Sequence, residues 1–488
     1  MNKRGMTQPG PDWDAGQPTD SQWYTPPFGA AGTPPPPVPT RRRSGVRLSR
    51  RGLLIGAGAV GVGAAAITGG ILYINAGHKS TIATGNQIQH LLRRAGFGAR
   101  ADEIQQYSQL GVSGAIERLL NYTQVSDDID SRLSSLNLNL STIPDSQRWW
   151  LLRMLYSQRP LQEKMTLFWH GLLTSSYTKV GGKAGYGFMV KQNTFLRDHA
   201  LDKYDTILLG ITQDPAMMNW LDLRLDRKNS PNENYARELM ELFTMGVSSG
   251  YTQTDVHDSA RALTGFTLSR DGTVTYNPAQ HDNGQKTLLG HTGDLSYHDV
   301  ISIVAGHPAT GPFLSKRLFQ FFVHENPSTA ELQPMVDAYY HSGHSIMEVM
   351  RAMFNSPAFF APAAYRSRIK SPAEFVVGAI RQLDLETQGQ GLSTAMTQMG
   401  QTIFDPPNVA GWPGDQASDN WMSTSTWLAR VNFINAIFNT QTGGNIVQDA
   451  ITKYHLKTPD DLVNHYTGVL IDGQLSTARR QSLSQYLS

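Results

Sequence analysis

Glu238, Glu241, His257, His281 and Asp282 are the side chains of this 488-residue chain that best suit acid–base work. Glu238 and Glu241 stand in SPNENYARELMELFTMG, residues 230–246, and His257 stands in the next patterned stretch, YTQTDVHDSARALTGF. Two carboxylates and an imidazole that converge can bind a divalent metal through His, Asp and Glu, or divide acid and base roles between carboxylates of different pKa. Arg261, on the same stretch, would hold an anionic group of the substrate. His281 and Asp282, in HDNGQKTLLG, set a histidine beside a carboxylate, which is a general-base pairing, and Lys286 follows as a second cation. Trp412 and Trp421, with Asp405, Asp415 and Asp419 near them, suit stacking and hydrogen bonding to a sugar ring. The alternative for these tryptophans is to anchor their loop to the body.

The elements that must position these groups are helices. Ser230-Pro231-Asn232-Glu233 and Ser371-Pro372-Ala373-Glu374 read as capping boxes with proline at the first helical position. Asp214-Pro215 and Ser296 with Asp299 mark further starts, and Gly246, Gly265 and Gly306 mark stops. A helix from Pro231 to Gly246 sets Tyr235, Leu239, Leu242 and Phe243 on one side and Arg237, Glu238 and Glu241 on the other. Arg237 stands four residues from both Glu233 and Glu241, so an ion ladder along a wet face is the plain alternative to a site. The short loop after Gly246 predicts an antiparallel partner helix, capped at Thr252 or Thr254, with its start near Glu241. Thr273–Gly290 reads as a small β-hairpin or structured loop, in which Asp282-Asn283-Gly284 favours a turn by itself. Phe404–Trp421 has no helical period and reads as a long loop. The stretch from Gly311 to Val323 reads as a core helix with Lys316 and Arg317 on its wet edge. In the helix around FWHGLLTSS, His170 falls opposite the stripe Leu161, Met165, Phe168 and Leu172, either exposed or facing a second interface.

Composition excludes several classes. Forty-two Lys and Arg against forty Asp and Glu leave no basic field to draw nucleic acid. With no cysteine there is no disulfide, thiolate metal site or cysteine nucleophile. The chain also lacks a phosphate-binding Gly-Lys loop and a His-Glu-x-x-His pair.

Residues 1–48 read as a Pro- and Arg-rich tail. Six arginines between Arg41 and Arg51 precede an uncharged run from Gly52 to Ile74, long enough to cross a bilayer as a helix. Positive charge before the run puts the tail in the cytoplasm. Ser49–Leu54, SRRGLL, resembles a twin-arginine export signal, and the run's mild hydrophobicity suits that route. Residues 49–76 are thus expected to engage the twin-arginine export machinery or to anchor the protein in the membrane through residues 52–74. The rest lies on the extracytoplasmic side of the cell membrane or is secreted.

In order along the chain, HLLRRAGFG, NENYARELMELFTMG, YTQTDVHDSARALTGF, HDNGQKTLLG, FNSPAFF, IKSPAEF, DPPNVAGWPG and NWMSTSTWLARVNF resemble the bacterial family called domain of unknown function 1800, over about residues 85–440. The resemblance implies an exported protein with no established activity, and genes that often neighbour those of a sulfatase-like exported family. It therefore suggests a co-exported sulfatase-like partner. The family commonly carries His-x-His where this chain has His170 and Leu172, so a metal site on that pair loses a ligand here.

Together these readings predict a mainly α fold, a multi-helix domain over 77–440 with a small β-hairpin and a long Trp-containing loop, and an accessory helical region over 441–488. Two functions follow. One is a hydrolase-like enzyme acting on extracellular polymer or envelope material with the carboxylate and histidine site. The other is a non-catalytic binding or scaffold protein for a co-exported enzyme, with the Trp loop as its contact surface.

Overall fold

The start signals act largely as their chemistry dictates. In a computed structural model that describes residues 84–439 and 446–487, Ser371 accepts from the Glu374 backbone N–H at 3.2 Å, while the Glu374 carboxylate takes the Ser371 N–H at 2.8 Å. Ser296 with Asp299 and Thr252 with Asp255 form the same reciprocal box, and Asp214 caps the helix begun by Pro215. Ser230 does not cap. Asp226 takes the Asn232 N–H at 2.8 Å and Ser230 pairs back with Arg227, so Asn232 becomes the cap and the helix starts at Glu233.

Helices dominate the described residues, with two small antiparallel hairpins. The body includes α1 (Thr84–Ala95), α2 (Ile143–Tyr156), α3 (Pro160–Leu172), α4 (Gly182–Asp198), α5 (Glu233–Glu238), α6 (Gln253–Leu263), α7 (Thr310–Phe322), α8 (Pro372–Gln382), α9 (Thr424–Asn439) and α10 (Pro459–Ile471). Helix α3 is its axis. Every residue from Leu161 to Leu172 is buried, among α1, α2 and α4. A helix enclosed on all sides must bury its polar positions too, so Gln162, Glu163, Lys164, Thr166 and His170 need internal partners. His170 accordingly faces a second interface.

Helix α5 does not run on as an α-helix to Gly246. From Leu239 to Thr244 it widens to a π-helix. The N–H groups of Met245 and Gly246 both reach the Met240 carbonyl, at 2.9 and 3.1 Å, and Gly246 ends the segment at φ 88°. Glu238 and Glu241 therefore straddle the change of helix type.

The hairpin expected inside 273–290 is two hairpins. Strand β1 (Phe266–Leu268) pairs with β2 (Val274–Tyr276), and β3 (Lys286–Leu288) pairs with β4 (His291–Gly293). Asp282-Asn283-Gly284 joins the pairs and is the tip of neither. Three-residue hairpins are marginal alone, and β3 gains its support by docking on α6. The 404–421 loop contains two short helical turns, Pro413–Gln416 and Ser418–Trp421.

No helix among the described residues is long and apolar enough to cross a membrane. The tail, the arginine run and the Gly52–Ile74 segment lie outside the described residues.

Candidate functional site

Around α5 the polar groups form a ladder. Arg237 donates to Glu233 at 3.1 Å and to Gln253 at 3.0 Å, and stands 3.7 Å from Glu241. Gln253, the first residue of α6, donates to Glu233 at 2.6 Å. The start of α6 thus meets Glu233 and Arg237, one to two turns earlier than the predicted meeting with Glu241. Glu238 is half-buried. Burial, and then the neighbouring Glu241, push its carboxyl up, against a smaller pull from Arg237.

One turn further along α6 a second network clamps the β3–β4 hairpin. Asp255 and Asp258 accept the backbone N–H groups of Leu289 and Thr287, each at 2.7 Å. Arg261 donates to Asp282 at 2.8 Å, to Asp258 at 3.0 Å and to the Gln285 carbonyl at 3.0 Å. These bonds from Arg261 lead the causes that push Asp282 down to about 2. Burial opposes ionisation of Asp258, but the Thr287 N–H and Arg261 outweigh it and hold the carboxyl low. His281 is buried, its Nδ1 3.0 Å from the Thr264 carbonyl, which requires the proton on that nitrogen. Lys286 is buried and donates to the Gly284 carbonyl at 2.9 Å and to Asp294 at 3.0 Å. His257 is half-exposed, 3.5 Å from Asp258.

The structure therefore brings Arg261, Asp282, His281, Lys286 and His257 into one neighbourhood and leaves Glu238 and Glu241 in the adjoining ladder. No hydrogen bond or ion pair among the described residues links the two networks. No group of three or more His, Asp and Glu side chains among them is placed to hold a metal ion. Trp412 and Trp421 lie elsewhere, 2% and 3% exposed, with no face open for a sugar. Their rings are packing: Trp412 lies 5.5 Å from the His170 ring, and Trp421 covers Gly414.

A third polar group, at the heart of the molecule, was not foreseen as a site. Glu374 is a cap, but its other oxygen is bonded by the ammonium of Lys164, which is fully buried. Arg94 and Arg368 converge on the end of α7, where the last carbonyls have no helical partner. Arg94 donates to the Phe322 and Val323 carbonyls at 2.7 and 3.1 Å, and Arg368 to those of Gln320 and Phe321. Burial resists the charge on Glu374, yet Lys164, Arg368 and Arg94 prevail and hold it well below the usual carboxylate range. Burial pushes Asp415 up to about 7, against Arg368 and Arg317. Burial and then Arg93 push Lys370 down to about 8.

His170 lies beside this group, in a box of Trp150, Phe404 and Trp412 at ring distances of 5.4, 5.7 and 5.5 Å. Burial alone pushes it down to about 3, so it is neutral at physiological pH, with Nε2 unpaired. Two glycines seat the 404–421 loop on α3. A Cβ on Gly411 would stand 2.2 Å from the Gly171 carbonyl oxygen, and one on Gly171 would stand 2.7 Å from Asp415. The signal for this group was present in HLLRRAGFG and IKSPAEF, which carry Arg94, Lys370 and Glu374. A cap explained Glu374 fully at the sequence level, and only the fold shows which cation completes it.

These features define a mainly α protein with its densest ionic chemistry inside and a partly exposed carboxylate flank. The chain belongs to the family described as protein of unknown function (DUF1800), whose family model matches residues 90–488. The match runs through the C-terminal helices, beyond the expected boundary near residue 440. Those helices are tied to the body by Asp472, which bonds Arg93 and Tyr365, and by the Val469 carbonyl, which accepts from Gln382 at 2.8 Å. No curated protein and no solved structure matches the chain.

Proposed function

We propose that this protein is an exported hydrolase-like enzyme, with Glu238 as the general acid and Glu241 as the general base. The observation that carries the reading is a pair of carboxylates one helical turn apart, one of which is held toward its protonated form. Glu238 is half-buried and is pushed up by burial and then by the neighbouring Glu241, and Arg237 stands 3.7 Å from Glu241. An acid that keeps its proton beside a second carboxylate suits acid–base hydrolysis. The π-helix that begins after Glu238 and carries Glu241 adds support, because such distortions recur at functional sites. Glu238 would give its proton to the leaving oxygen as Glu241 takes one from the attacking water, so no net proton is gained or lost by the protein. Arg261 and Lys286 are committed to the hairpin, and their role in this reading is to hold the second network against α6.

The setting we infer is extracytoplasmic. Its support is the arginine run, the SRRGLL sequence and the uncharged Gly52–Ile74 segment. In that setting the substrate class is envelope or extracellular polymer, and a co-exported sulfatase-like protein is the partner we infer from family resemblance.

The test is release of new reducing ends or carboxylates from peptidoglycan and from neutral and acidic polysaccharides by purified full-length protein. Glu238→Gln and Glu241→Gln should each lower release by at least about a hundredfold, the usual scale of acid–base catalysis. Unchanged release in both folded variants, or no release from any polymer by the wild type, would defeat the reading.

A further inference from the structure

The start of α8 has an uneven balance of donors and acceptors. Gln401 is fully buried. Its Oε1 accepts the Ala373 N–H at 2.9 Å, which fixes the amide orientation, and its Nε2 then has no partner. Arg430 is buried on α9. It donates through Nη2 to the Lys370 carbonyl at 3.0 Å, and its Nε has no partner. Arg368 Nε and the buried Trp421 Nε1 are likewise unpaired. Trp421 lies against Gly414, whose carbonyl is 3.5 Å from Arg368 Nη2, and Ser418 accepts the Ile369 N–H at 3.0 Å. Gln401 and Arg430 thus bond residues 370–373 directly, Arg368 begins that stretch, and Trp421 packs on the Gly414 that Arg368 also reaches.

All four unpaired atoms are donors. Buried donors in native proteins almost always have an acceptor. The charges point the same way. Arg94, Lys164, Arg368, Lys370 and Arg430 all act on Glu374, while of the other acids here Asp415 is disfavoured as an anion and Glu325 accepts the Ser418 N–H at 2.6 Å. A largely desolvated group with surplus positive charge and spare N–H groups calls for negative oxygen atoms.

We propose that the start of α8 binds a small oxyanion of the phosphate or sulfate class, held by Arg368, Arg430, Gln401 and Trp421. Guanidinium Nε, amide and indole N–H groups supply directional donors, and the helix start adds a favourable dipole. The ligand would add to contacts that already join the 404–421 loop and α9 to this stretch. This site is separate from Glu238 and Glu241 and does not depend on them.

The test uses full-length protein purified in chloride buffer, denatured, and assayed by ion chromatography for released phosphate and sulfate. Stripped, refolded protein is then titrated with inorganic phosphate or sulfate at constant ionic strength, reading the midpoint of thermal unfolding. A specific site gives a gain that follows the logarithm of free ligand above its dissociation constant. Arg430→Met should abolish both release and gain. Gln401→Glu brings its own anionic oxygen, so it should unfold no lower than stripped wild type and gain nothing from either ion. Mass spectrometry of the released material separates a free ion from an oxyanion group on a larger molecule. If wild type releases no oxyanion and its midpoint moves no more than that of Gln401→Glu, water fills the site and the proposal falls.

Discussion

The ladder on α5 and the ionic group around Glu374 use the same side-chain types under opposite conditions. Along α5, Arg237 shares one guanidinium among Glu233, Glu241 and Gln253, with water close to all of them. Such pairs are screened and replaceable, and each contributes little. Around Glu374 the charges are largely out of water, with Lys164, Asp415 and Arg430 buried. Each must be met by a specific partner, because desolvation is costly and an unmet charge more so. Polar side chains at a helix surface are cheap to keep and therefore say little about function. Polar side chains in a core demand a cause, and at the start of α8 the protein's own acceptors do not supply it.

The largest effect should come from breaking the inner pair on one side. Glu374→Gln leaves the fully buried Lys164 ammonium without its carboxylate and weakens the α8 cap. The expected loss is about 3–5 kcal/mol in urea unfolding. Lys164→Met combined with Glu374→Gln should recover much of it, since an apolar replacement leaves no stranded charge. Equal losses in the single and double variants would mean that Glu374 matters as a cap alone, and the contrast with α5 would fail.

Next in size is Gly411→Ala. Its φ is 85°, and the new Cβ would meet the Gly171 carbonyl oxygen at 2.2 Å. Strain of this kind costs about 1–3 kcal/mol. Because the loop carries Trp412 onto His170, the near-ultraviolet circular dichroism should change along with the unfolding midpoint. A midpoint shift with an unaltered aromatic spectrum would separate the loop seat from the His170 box.

Asp415 sharpens the comparison through pH. Its folded-state pKa is pushed up to about 7 from an ordinary 3.8, so between those values the folded chain holds a proton that the unfolded chain has released. Stability contributed by the neutral acid is therefore full below about pH 4 and declines as pH rises toward 7, at roughly 1.4 kcal/mol per unit for a fully shifted group. Asp415→Asn should flatten that decline. Asp214 and Asp226 are also pushed up to about 7 and keep part of the slope in the variant. Buried His90 and His170, pushed down to about 3, add an opposite slope over the same range, so the difference between the two profiles is the readout. Identical slopes in wild type and Asp415→Asn would show that Arg368 and Arg317 prevail over burial at Asp415.

Much of the fold was legible. The boxes at Ser371, Ser296 and Thr252 are local chemistry, read from three or four residues each, and their helices begin where that chemistry says. Ser230 misled because a remote competitor, Asp226, claims the backbone that the cap needs. The π-helix was hidden because its pattern of Leu, Met, Glu and Phe also suits an α-helix. For the site, spacing alone linked Arg237 to its two glutamates. It did not link Arg261 to Asp282, Lys164 to Glu374 or Arg368 to α7, because those pairs are joined by tertiary packing. The tryptophans were ambiguous for a related reason, since an aromatic ring in a loop suits a sugar or a core equally until the glycines beside it are seen to bring the loop down onto α3.

The smallest expected effect is also the one that ties the outer ladder to the proposed chemistry. Arg237→Ala removes one partly exposed cation from a chain of partly exposed acids, and the stability change should be about 0.3–0.5 kcal/mol, shrinking as salt is added. Its effect on Glu238 should be clearer than its effect on folding. Arg237 is the charge that opposes the upward shift, while burial and Glu241 cause it. Without the guanidinium, Glu238 should titrate higher still, as read by carbon-13 NMR of its carboxyl group. A downward move, or none, would mean that Arg237 does not act on Glu238, and the ladder around Glu233 and Gln253 would then be separate from the carboxylate that the proposed chemistry uses.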